Sequence, residues 1–568
     1  MSLYAMPTEL TSPATASLET GTLEPTSSFL TLVTPRDQRD STPHRPTSPS
    51  VTLSGEYIAN LAIAEGAECF TDQLGKSWVW LPSPTPSPHH EALRLESRTF
   101  LRKLSALIES RPDITEKPTK LLLKKAVEAL DLSALTTTER SLHTRMTWED
   151  EAIYIDRVDA DWKVIRVTAS GWSEETPAHP RFYRTAHQRE LPSPITGGDH
   201  QPLFDYLAIN DPAQQLLALA WILSAYHPGI SSPILLVVGP PGSAKTTRCR
   251  RLRSLIDPSH VDLLGDIELG QIFHTFQNHA VPVFENVGTF DRKTADAFCR
   301  AVTGAATERR KLFTDSEQVL FNYRRSVIIN SLAPPSTRPD FLDRCLLLHC
   351  ERLAHFQPLK QLDAAFEKER SAILGGLLDL LAKTLALLDD TCPPSEFRLA
   401  DFAHFGRAVA RALGQSPDDF DRAYSDNIAG QCGEIIEDSA IAQLIVEFAQ
   451  GYPVDSPWVG SISELRSQLK ALASTRDLGE GKRDLQKSTR WLSSALSELG
   501  PALVNRGVEV CSLPRTRSQR PWKVSLATEC VPLPPATYDD VLLDALDAEQ
   551  VQTVPTGTQE ASIEGVMR

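Results

Sequence analysis

An apolar run that leads into a glycine-bearing turn decides the fold: Pro233-Ile-Leu-Leu-Val-Val238 precedes Gly239-Pro-Pro-Gly-Ser-Ala-Lys-Thr-Thr247. A buried strand that enters such a turn and then a helix is the setting of a phosphate-binding loop, or P-loop. Backbone N–H groups would point at phosphate oxygens, and the helix N-terminus would add favourable dipole charge. The sequence therefore predicts a nucleotide site lined by Gly239, Pro240, Pro241, Gly242, Ser243, Ala244, Lys245, Thr246 and Thr247.

Two side chains of this loop carry the chemistry. We expect Lys245 to reach the β- and γ-phosphates of ATP and the hydroxyl of Thr246 to hold Mg²⁺. Ala244 stands where a second glycine is usual, and alanine is the smallest replacement and suits a helix start. The alternative is a chance glycine–lysine turn without a ligand.

Length and composition limit the class of protein. A chain of 568 residues forms several domains. Its hydrophobic content of 41%, charged content of 23% and formal net charge of −15 fit an ordinary globular protein. That charge disfavours a surface that is basic all over, but it leaves room for a local nucleic-acid groove. Nine scattered cysteines without zinc spacing indicate reduced thiols in the cytoplasm. We expect no membrane partner and no signal peptide.

Apolar strands recur downstream of the loop, at residues 280–284, 326–330 and 345–349, with helical segments between them. This alternation predicts an α/β fold with a parallel sheet covered on both faces. Upstream, residues 152–156, 162–168 and 181–184 alternate as strands do, with a break at Gly171-Trp172. Downstream, residues 371–388 and 399–413 have helical periodicity.

We expect seven segments along the chain. They are a disordered Ser/Thr/Pro-rich head (1–53), an N-terminal α+β module (54–135), a small β module (136–200), the P-loop domain (201–385), a helical domain (386–455), a winged-helix-like domain (456–530) and a disordered acidic tail (531–568).

Two polar residues follow the next strands. A P-loop ATPase needs a carboxylate at the end of a neighbouring strand to hold Mg²⁺, and Glu285 fits. Asn286 cannot accept a proton, so it would orient water or sense the γ-phosphate. Asn330 ends the following strand, where a polar residue points at the γ-phosphate, and Ser331 is a candidate to share that role. A strand end with a surface Glu is the alternative for Glu285.

Basic residues occur at three further places. Two short β runs on either side of an Asp-Ser-Glu turn predict a hairpin whose Arg309, Arg310 and Lys311 would track DNA phosphates, unless it is a solvated surface hairpin. Arg344, and second Arg338, are candidates for an arginine that acts in the ATP site of a neighbouring subunit. The alternative for both is an internal ion pair with Asp340 or Asp343.

The C-terminal segment combines helices at 462–473 and 486–499 with strands at 506–511 and 520–525. Helices followed by a basic hairpin fit a winged helix, which binds a DNA groove or another protein. The basic residues that would contact DNA are Lys487 and Arg490 on the helix and Arg515, Arg517 and Arg520 on the wing.

The order and spacing of these motifs resemble the AAA+/superfamily-three-like ATPases of phages and integrative elements, which are DNA primase/helicase-like ATP-binding proteins. The resemblance spans roughly residues 54–528 and includes Arg300-Ala-Val-Thr-Gly304; family members usually have Asp where this chain has Glu285. It implies ATP and Mg²⁺ as cofactors and a homo-oligomeric ring, usually a hexamer. It also implies movement on single-stranded or forked DNA during replication of a mobile element, with a primase or another replication protein as possible partner. Some members carry an N-terminal primase-polymerase; we expect none in this sequence, because its Ser/Thr/Pro-rich head cannot form one.

Three functions remain to be weighed. The first is a DNA-dependent ATPase and helicase or translocase. The second is a regulatory or defence-associated AAA+ switch that binds ATP, oligomerises and recruits proteins with slow hydrolysis, which Glu285-Asn286 favours. A metabolic P-loop kinase would need a phosphoacceptor pocket and a lid, and the sequence indicates neither.

Overall fold

The computed structural model describes residues 53–83, 89–114, 116–179, 181–265, 268–304, 307–310, 318–321, 324–475, 483–515 and 520–526. The predicted head (apart from Leu53), the predicted acidic tail, Lys311 and Arg517 lie outside the described residues.

The N-terminal module packs three helices on a small antiparallel sheet of order β1-β2-β3. Its helices begin at Ser or Thr caps whose side-chain oxygens accept the amide three residues on, as at Ser97 and Thr119. Ile58, Phe100 and Leu130 lie in its core. The third strand was not predicted. The elements are α1 (Gly55–Ala64), β1 (Glu68–Thr71), β2 (Ser77–Ser83), β3 (His89–Arg94), α2 (Arg98–Glu109) and α3 (Lys120–Leu135).

An antiparallel meander follows, with its strands in chain order: β4 (Met146–Glu149), β5 (Ala152–Asp156), β6 (Val164–Thr168) and β7 (Gly171–Glu175). Two predictions were wrong here. Gly171-Trp172 is not a break but the start of β7, because the positive φ of Gly171 closes a tight turn that returns the chain to pair with β6. Residues 181–184 do not form a strand; Phe182 makes only an isolated bridge with His143.

The predicted parallel sheet is present. Strand β8 pairs with β12 and β13, and β12 pairs with β9, which gives the order β13-β8-β12-β9 with all pairs parallel. An antiparallel pair, β10 with β11, lies in sequence just before β12. The elements are α4 (Pro202–Leu207), α5 (Pro212–Ala225), β8 (Ile234–Val238), α6 (Lys245–Ile256), α7 (Leu269–Asn278), β9 (Val283–Phe284), α8 (Arg292–Thr303), β10 (Thr307–Arg310), β11 (Gln318–Phe321), β12 (Ile328–Ser331), α9 (Pro339–Leu342) and β13 (Cys345–His349).

Both faces of this sheet are buried, as a parallel sheet requires. Along β8, Leu235 and Val237 belong to one hydrophobic cluster, while Ile234, Leu236 and Val238 belong to the other. The first cluster is shared with α5 and α6, and the second with α7 and α8. This fixes the carboxyl ends of the strands as one edge of a rigid layer.

The rest of the described chain is mainly helical and ends in a three-stranded antiparallel sheet of order β14-β16-β15. Helix α10 begins at Leu359, twelve residues before the predicted start at 371. The prediction missed these first turns because they are largely exposed and lack an apolar pattern. The elements are α10 (Leu359–Leu388), α11 (Ala400–Ala412), α12 (Pro417–Asp438), α13 (Ala440–Gln450), β14 (Trp458–Ser461), α14 (Ile462–Thr475), α15 (Thr489–Asn505), β15 (Val508–Ser512) and β16 (Pro521–Leu526).

Hydrophobic clusters cross the predicted domain boundaries. Helices α10 and α11 share the first cluster with the parallel sheet, and α13, α14 and α15 share the second. Helix α13 packs on α14 and β16. The boundaries themselves stay predictions.

Among the described residues, α10 is long and apolar enough to cross a membrane by length and composition. In this fold 56% of the most apolar 18-residue stretch of α10 is buried. Its Leu374, Leu377 and Leu381 lie in the core cluster shared with the sheet. Core helices commonly meet the same length and composition criteria, and α10 packs as one.

Candidate nucleotide-binding site

The loop between β8 and α6 has positive φ at three residues: 151° at Gly239, 81° at Gly242 and 58° at Ala244. A Cβ atom at Gly239 would lie 2.1 Å from the carbonyl oxygen of Cys350, so only glycine fits there. Ala244 occupies the left-handed region, which costs an L-residue about 1–2 kcal/mol. The expectation that alanine suits this position was wrong, because the residue before Lys245 is left-handed rather than helical.

Lys245, the first residue of α6, is held at the loop by neutral acceptors. Its Nζ donates to the carbonyl oxygens of Gly239 at 2.6 Å and Pro240 at 3.0 Å. Ser243 Oγ also donates to Pro240 O, at 2.9 Å. An anionic phosphate oxygen is a stronger acceptor for an ammonium group than a neutral carbonyl. The lysine is therefore placed to exchange its loop contacts for a phosphate.

Three residues predicted from separate parts of the sequence meet at one point. Thr246 Oγ1 donates to Glu285 Oε1 at 2.6 Å, and Asn330 Nδ2 donates to Thr246 Oγ1 at 3.2 Å. Thr246 lies in the first turn of α6, Glu285 follows β9 and Asn330 lies in β12. Their proximity makes a compact polar cluster at the carboxyl edge of the parallel sheet.

Buried polar atoms in β12 lack partners. Asn330 is 1% exposed, and neither its Oδ1 nor the Oγ of the adjacent Ser331 has a hydrogen-bond partner. The two residues pair with Val237 and Val238 of β8, so they lie beside the start of the loop. Unsatisfied buried polar atoms are rare and costly, and ligands of open α/β sheets bind at the carboxyl ends of strands. These atoms indicate a place for a polar ligand.

Asn286 makes a turn at the end of β9. Its φ is 53°, a left-handed conformation that Asn tolerates better than most residues. This turn lets the Val287 amide donate to the Asn330 carbonyl oxygen at 3.0 Å. The Asn286 side chain is exposed, and no contact in the described structure assigns it a role.

Sequence reasoning missed several residues around the loop. Arg248, one turn into α6, is 2% exposed, and its Nε and Nη1 have no hydrogen-bond partner. Leu332 and Phe356 are 68% and 69% exposed; the first lines a cavity of about 680 Å³ beside Gly239, and the second lies next to Gly242. Arg248 could have been found from the sequence, because it lies three residues after Lys245 on the same helix. Leu332 and Phe356 lie in loops and follow no sequence pattern.

The donor set at this point fits Mg²⁺. A hydroxyl oxygen and a carboxylate oxygen lie 2.6 Å apart at Thr246 and Glu285. Mg²⁺ is typically bound by one or two protein oxygens together with substrate phosphates and water. No group of three or more His, Cys, Asp or Glu side chains in the described part of the chain forms a separate metal site.

Both arginine candidates are held within the chain. Arg338 forms ion pairs with Asp296 and, at 3.1 Å, with Asp340. In this structure it therefore makes the internal ion pair that was the alternative to a role in a neighbouring subunit. Arg344 donates to the backbone carbonyl of Asp340, and its Nε has no partner. Its neighbour Asp343 pairs instead with Arg398. A role in a neighbouring subunit stays a prediction for both.

The predicted basic hairpin exists as backbone: β10 and β11 pair with Arg309 opposite Val319 and Arg310 opposite Gln318. At the C-terminal end, Lys487 Nζ pairs with Asp484 at 2.7 Å and lies 4.3 Å from the ring centroid of Trp491. The other described residues of this unit that were predicted to contact DNA are exposed: Arg490, Arg515 and Arg520. None of these contacts tests DNA binding.

Comparison with known families identifies the class. A family model described as an actinomycete integrative conjugative element replication protein, AICE RepA, matches residues 202–430. The model of the RepA C-terminal domain of the same elements matches residues 441–535. No curated protein matches the chain.

Solved structures show only distant likeness. A structure titled as the A form apo structure of the NrS-1 C-terminal region is 9% identical over 83% of this chain and 99% of that chain, with a TM-score of 0.37. One titled "SCCmec type IV Cch - active helicase" is 11% identical over 81% of this chain and 93% of that chain, with a TM-score of 0.41. Similarity at this level identifies neither the functional residues nor the activity of this chain.

The fold is a mixed α/β architecture with a parallel sheet, and the chain is a replication protein of mobile elements. It belongs to the RepA family of actinomycete integrative conjugative elements, because two models of that family together match more than half of its length.

Proposed function

We propose that this protein is an ATP-hydrolysing helicase or translocase that forms a ring of six subunits on single-stranded or forked DNA and acts in the cytoplasm during replication of its element. The observation that carries the proposal is the cluster in which Thr246 Oγ1 lies 2.6 Å from Glu285 Oε1 and 3.2 Å from Asn330 Nδ2. A P-loop ATPase needs these three functions: a metal-binding hydroxyl, a metal-binding carboxylate and a polar residue facing the γ-phosphate.

Sheet order supports the assignment. Strand β12 lies between β8, which leads into the loop, and β9, which leads to Glu285. Leu264 makes a further parallel bridge with Phe284 beyond β9. An AAA+-type core places its sensor strand between its two nucleotide-binding strands, and this order matches.

In this assignment Lys245 exchanges the carbonyl oxygens of Gly239 and Pro240 for phosphate oxygens. Thr246 and Glu285 would hold Mg²⁺, which would supply positive charge beside the phosphates. Asn330 keeps Nδ2 on Thr246, and its free Oδ1 is available to orient a water or to follow the γ-phosphate.

A regulatory AAA+ switch is the second candidate, and Asn286 favours it. A carboxylate next to the metal-binding residue would serve as a general base, whereas an amide cannot accept the proton. Hydrolysis would then be slow, and assembly with ATP would recruit other replication proteins.

DNA contact rests on basic elements in a chain of net charge −15. We assign it to Arg309, Arg310 and Lys311 of the hairpin and to the C-terminal unit, whose strand order and helix arrangement suit a winged helix. There Lys487 and Arg490 would face a groove, with Arg515, Arg517 and Arg520 on the wing.

Nucleotide binding and ATP turnover, each with and without single-stranded DNA, test the proposal. Lys245→Ala should abolish ATP binding, and Glu285→Gln should keep binding but lower turnover by two or more orders of magnitude. Arg422→Met, at an exposed site on α12, serves as the control that should change neither. Undiminished ATP affinity in Lys245→Ala would refute the site, whereas ATP binding without DNA-stimulated turnover in the wild type would favour the switch.

A further inference from the structure

Helix α3 is apolar on two opposite sides. Its inner side packs Ala126, Leu130 and Ala134 into the core of the N-terminal module, where all three are fully buried. Its outer side carries three exposed leucines: Leu121 is 63% exposed, Leu132 is 67% exposed and Leu135 is 64% exposed. A helix that is apolar all round is normally covered all round.

The exposed leucines share one face of the helix, which we call the outer stripe: Leu121 lies at its N-terminal end and Leu132 and Leu135 at its C-terminal end, with Lys125 and Glu128 between them. At about 100° per residue the three lie within about 60° of one another, and Leu130 lies about 180° from Leu121. Single exposed leucines need no explanation, but an aligned set on one helix is typical of a protein interface.

Charges beside the outer stripe divide along the helix. Lys120, Lys124 and Lys125 lie in the N-terminal half, and Glu128 and Asp131 lie in the C-terminal half. Lys124 and Glu128 are 75% and 62% exposed, and their 3.8 Å pair is too open to hold either charge firmly. A helix with this division is electrostatically complementary to an antiparallel copy of itself.

Register makes the complementarity specific. An antiparallel pair that places Leu121 against Leu132 of the partner subunit also places Glu128 against Lys125 of the partner subunit. The two-fold axis repeats both contacts, as an isologous interface requires. The apolar stripe and the charge pattern therefore select the same alignment.

We propose that α3 docks on α3 of a second copy of this chain, as an antiparallel pair sealed by the outer stripe and by Glu128–Lys125 contacts. The contact is two-fold, so it joins two copies, or two assemblies, and does not itself close a ring. The stripe is smaller than the roughly 800 Å² per partner of a standard interface, so the association is weak and concentration-dependent.

Sedimentation of the full-length protein without nucleotide, over a range of concentrations, tests the proposal. Wild type should show reversible dimerisation, and Leu121→Ser with Leu132→Ser should raise the dissociation constant about tenfold or more. Val459→Ser, which removes another half-exposed apolar side chain in the C-terminal unit, should leave it unchanged. Melting curves establish that the variants fold.

Charge swaps give the sharper readout. Glu128→Lys alone and Lys125→Glu alone should each lose self-association, because each homodimer then opposes like charges. A mixture of the two variants should dimerise as well as wild type, since both contacts of the heterodimer are complementary. Lys125→Glu keeps the Cβ atom that faces Gly55 of α1, so the module retains its packing. A monomeric wild type, or single swaps without effect, would overturn the proposal; either result would leave the ATP site untouched.

Discussion

Arg145 Nε donates to Asp257 Oδ1 at 3.0 Å, and the two side chains are 0% and 1% exposed. Arg145 lies just before β4, and Asp257 follows the last residue of α6. The other carboxylate oxygen accepts the amides of Ala280 and Val281, at the start of the segment that leads to Glu285. The small β module is thereby joined to both segments that supply the candidate nucleotide site.

This pair should dominate the stability of that junction. Burial alone would raise the pKa of Asp257, but Arg145 and Arg253 hold it below its usual range, so the carboxylate is charged. Arg145→Met would remove the ion-pair partner of this buried carboxylate, and we expect it to lower the free energy of unfolding by about 3–5 kcal/mol in urea titrations. The exposed Arg422–Asp419 pair is the control, and Arg422→Met should cost less than about 1 kcal/mol. Equal effects of the two substitutions would contradict the junction.

Two buried histidines should make stability depend on pH. Burial lowers the pKa of His279 to about 3, with His187 and Arg253 adding to the shift, and burial lowers that of His227 to about 4. In each ring Nδ1 accepts a hydrogen bond, from Arg253 or from the Gly229 amide. Well above pH 6.5 the two rings are neutral in both the folded and the unfolded chain. As pH falls below 6.5, the unfolded chain binds protons that the native rings refuse, so stability is lost.

We expect the free energy of unfolding to fall by up to about 1.4 kcal/mol per pH unit for each histidine between pH 6.5 and about 4. Urea unfolding at a series of pH values measures this slope, and carboxylates add to it at the acidic end. His279→Gln removes one titrating ring, so its slope should be shallower by about one proton. An identical slope in wild type and variant would show that His279 titrates normally.

The parallel sheet and the neighbourhood of its carboxyl edge could be predicted from the sequence. Strand β8 is a continuous apolar run, Glu285 follows the buried strand β9, and Asn330 lies one residue before the end of the buried strand β12. Because parallel strands end at one edge, their proximity to Thr246 follows from topology alone. Their roles in chemistry stay predictions, since proximity does not establish them.

Tertiary contacts decided what the sequence did not reveal. The left-handed Ala244 lies in a turn whose first residue, Gly239, lies against Cys350. Residues 181–184 alternate like a strand, but Arg181 and Arg184 are drawn into contacts with Glu149 and Asp156. No local pattern encodes either outcome.

Arg344 should act in the site of a neighbouring subunit. Unlike Arg338, it has no carboxylate within salt-bridge distance among the described residues, so its guanidinium is less committed to its own chain. Arg344→Ala should bind ATP normally and fail to hydrolyse it. Mixed in equal amounts with Lys245→Ala, it should recover activity, because roughly a quarter of randomly formed head-to-tail interfaces contain both intact residues.

Arg338→Ala provides the comparison, since it breaks ion pairs with Asp296 and Asp340 and should instead lower stability. A mixture that recovers nothing, with single-subunit sedimentation at saturating ATP, would rule out a shared site and the ring with it.

The hairpin formed by β10 and β11 should bind single-stranded DNA, and the affinity should depend on the salt concentration. Each phosphate contact releases a condensed counterion, so the logarithm of affinity for a single strand falls with a slope of about 0.7 per contact. Replacing Arg309, Arg310 and Lys311 by Gln should flatten that slope by about two units and uncouple ATP turnover from DNA, while basal turnover remains. Replacing Arg515, Arg517 and Arg520 is the matched control: it should weaken duplex binding more than single-strand binding, because a winged helix docks in a duplex groove. If neither set alters the slope, these side chains are engaged within the protein, and the regulatory switch becomes the better account of a DNA-independent ATP site.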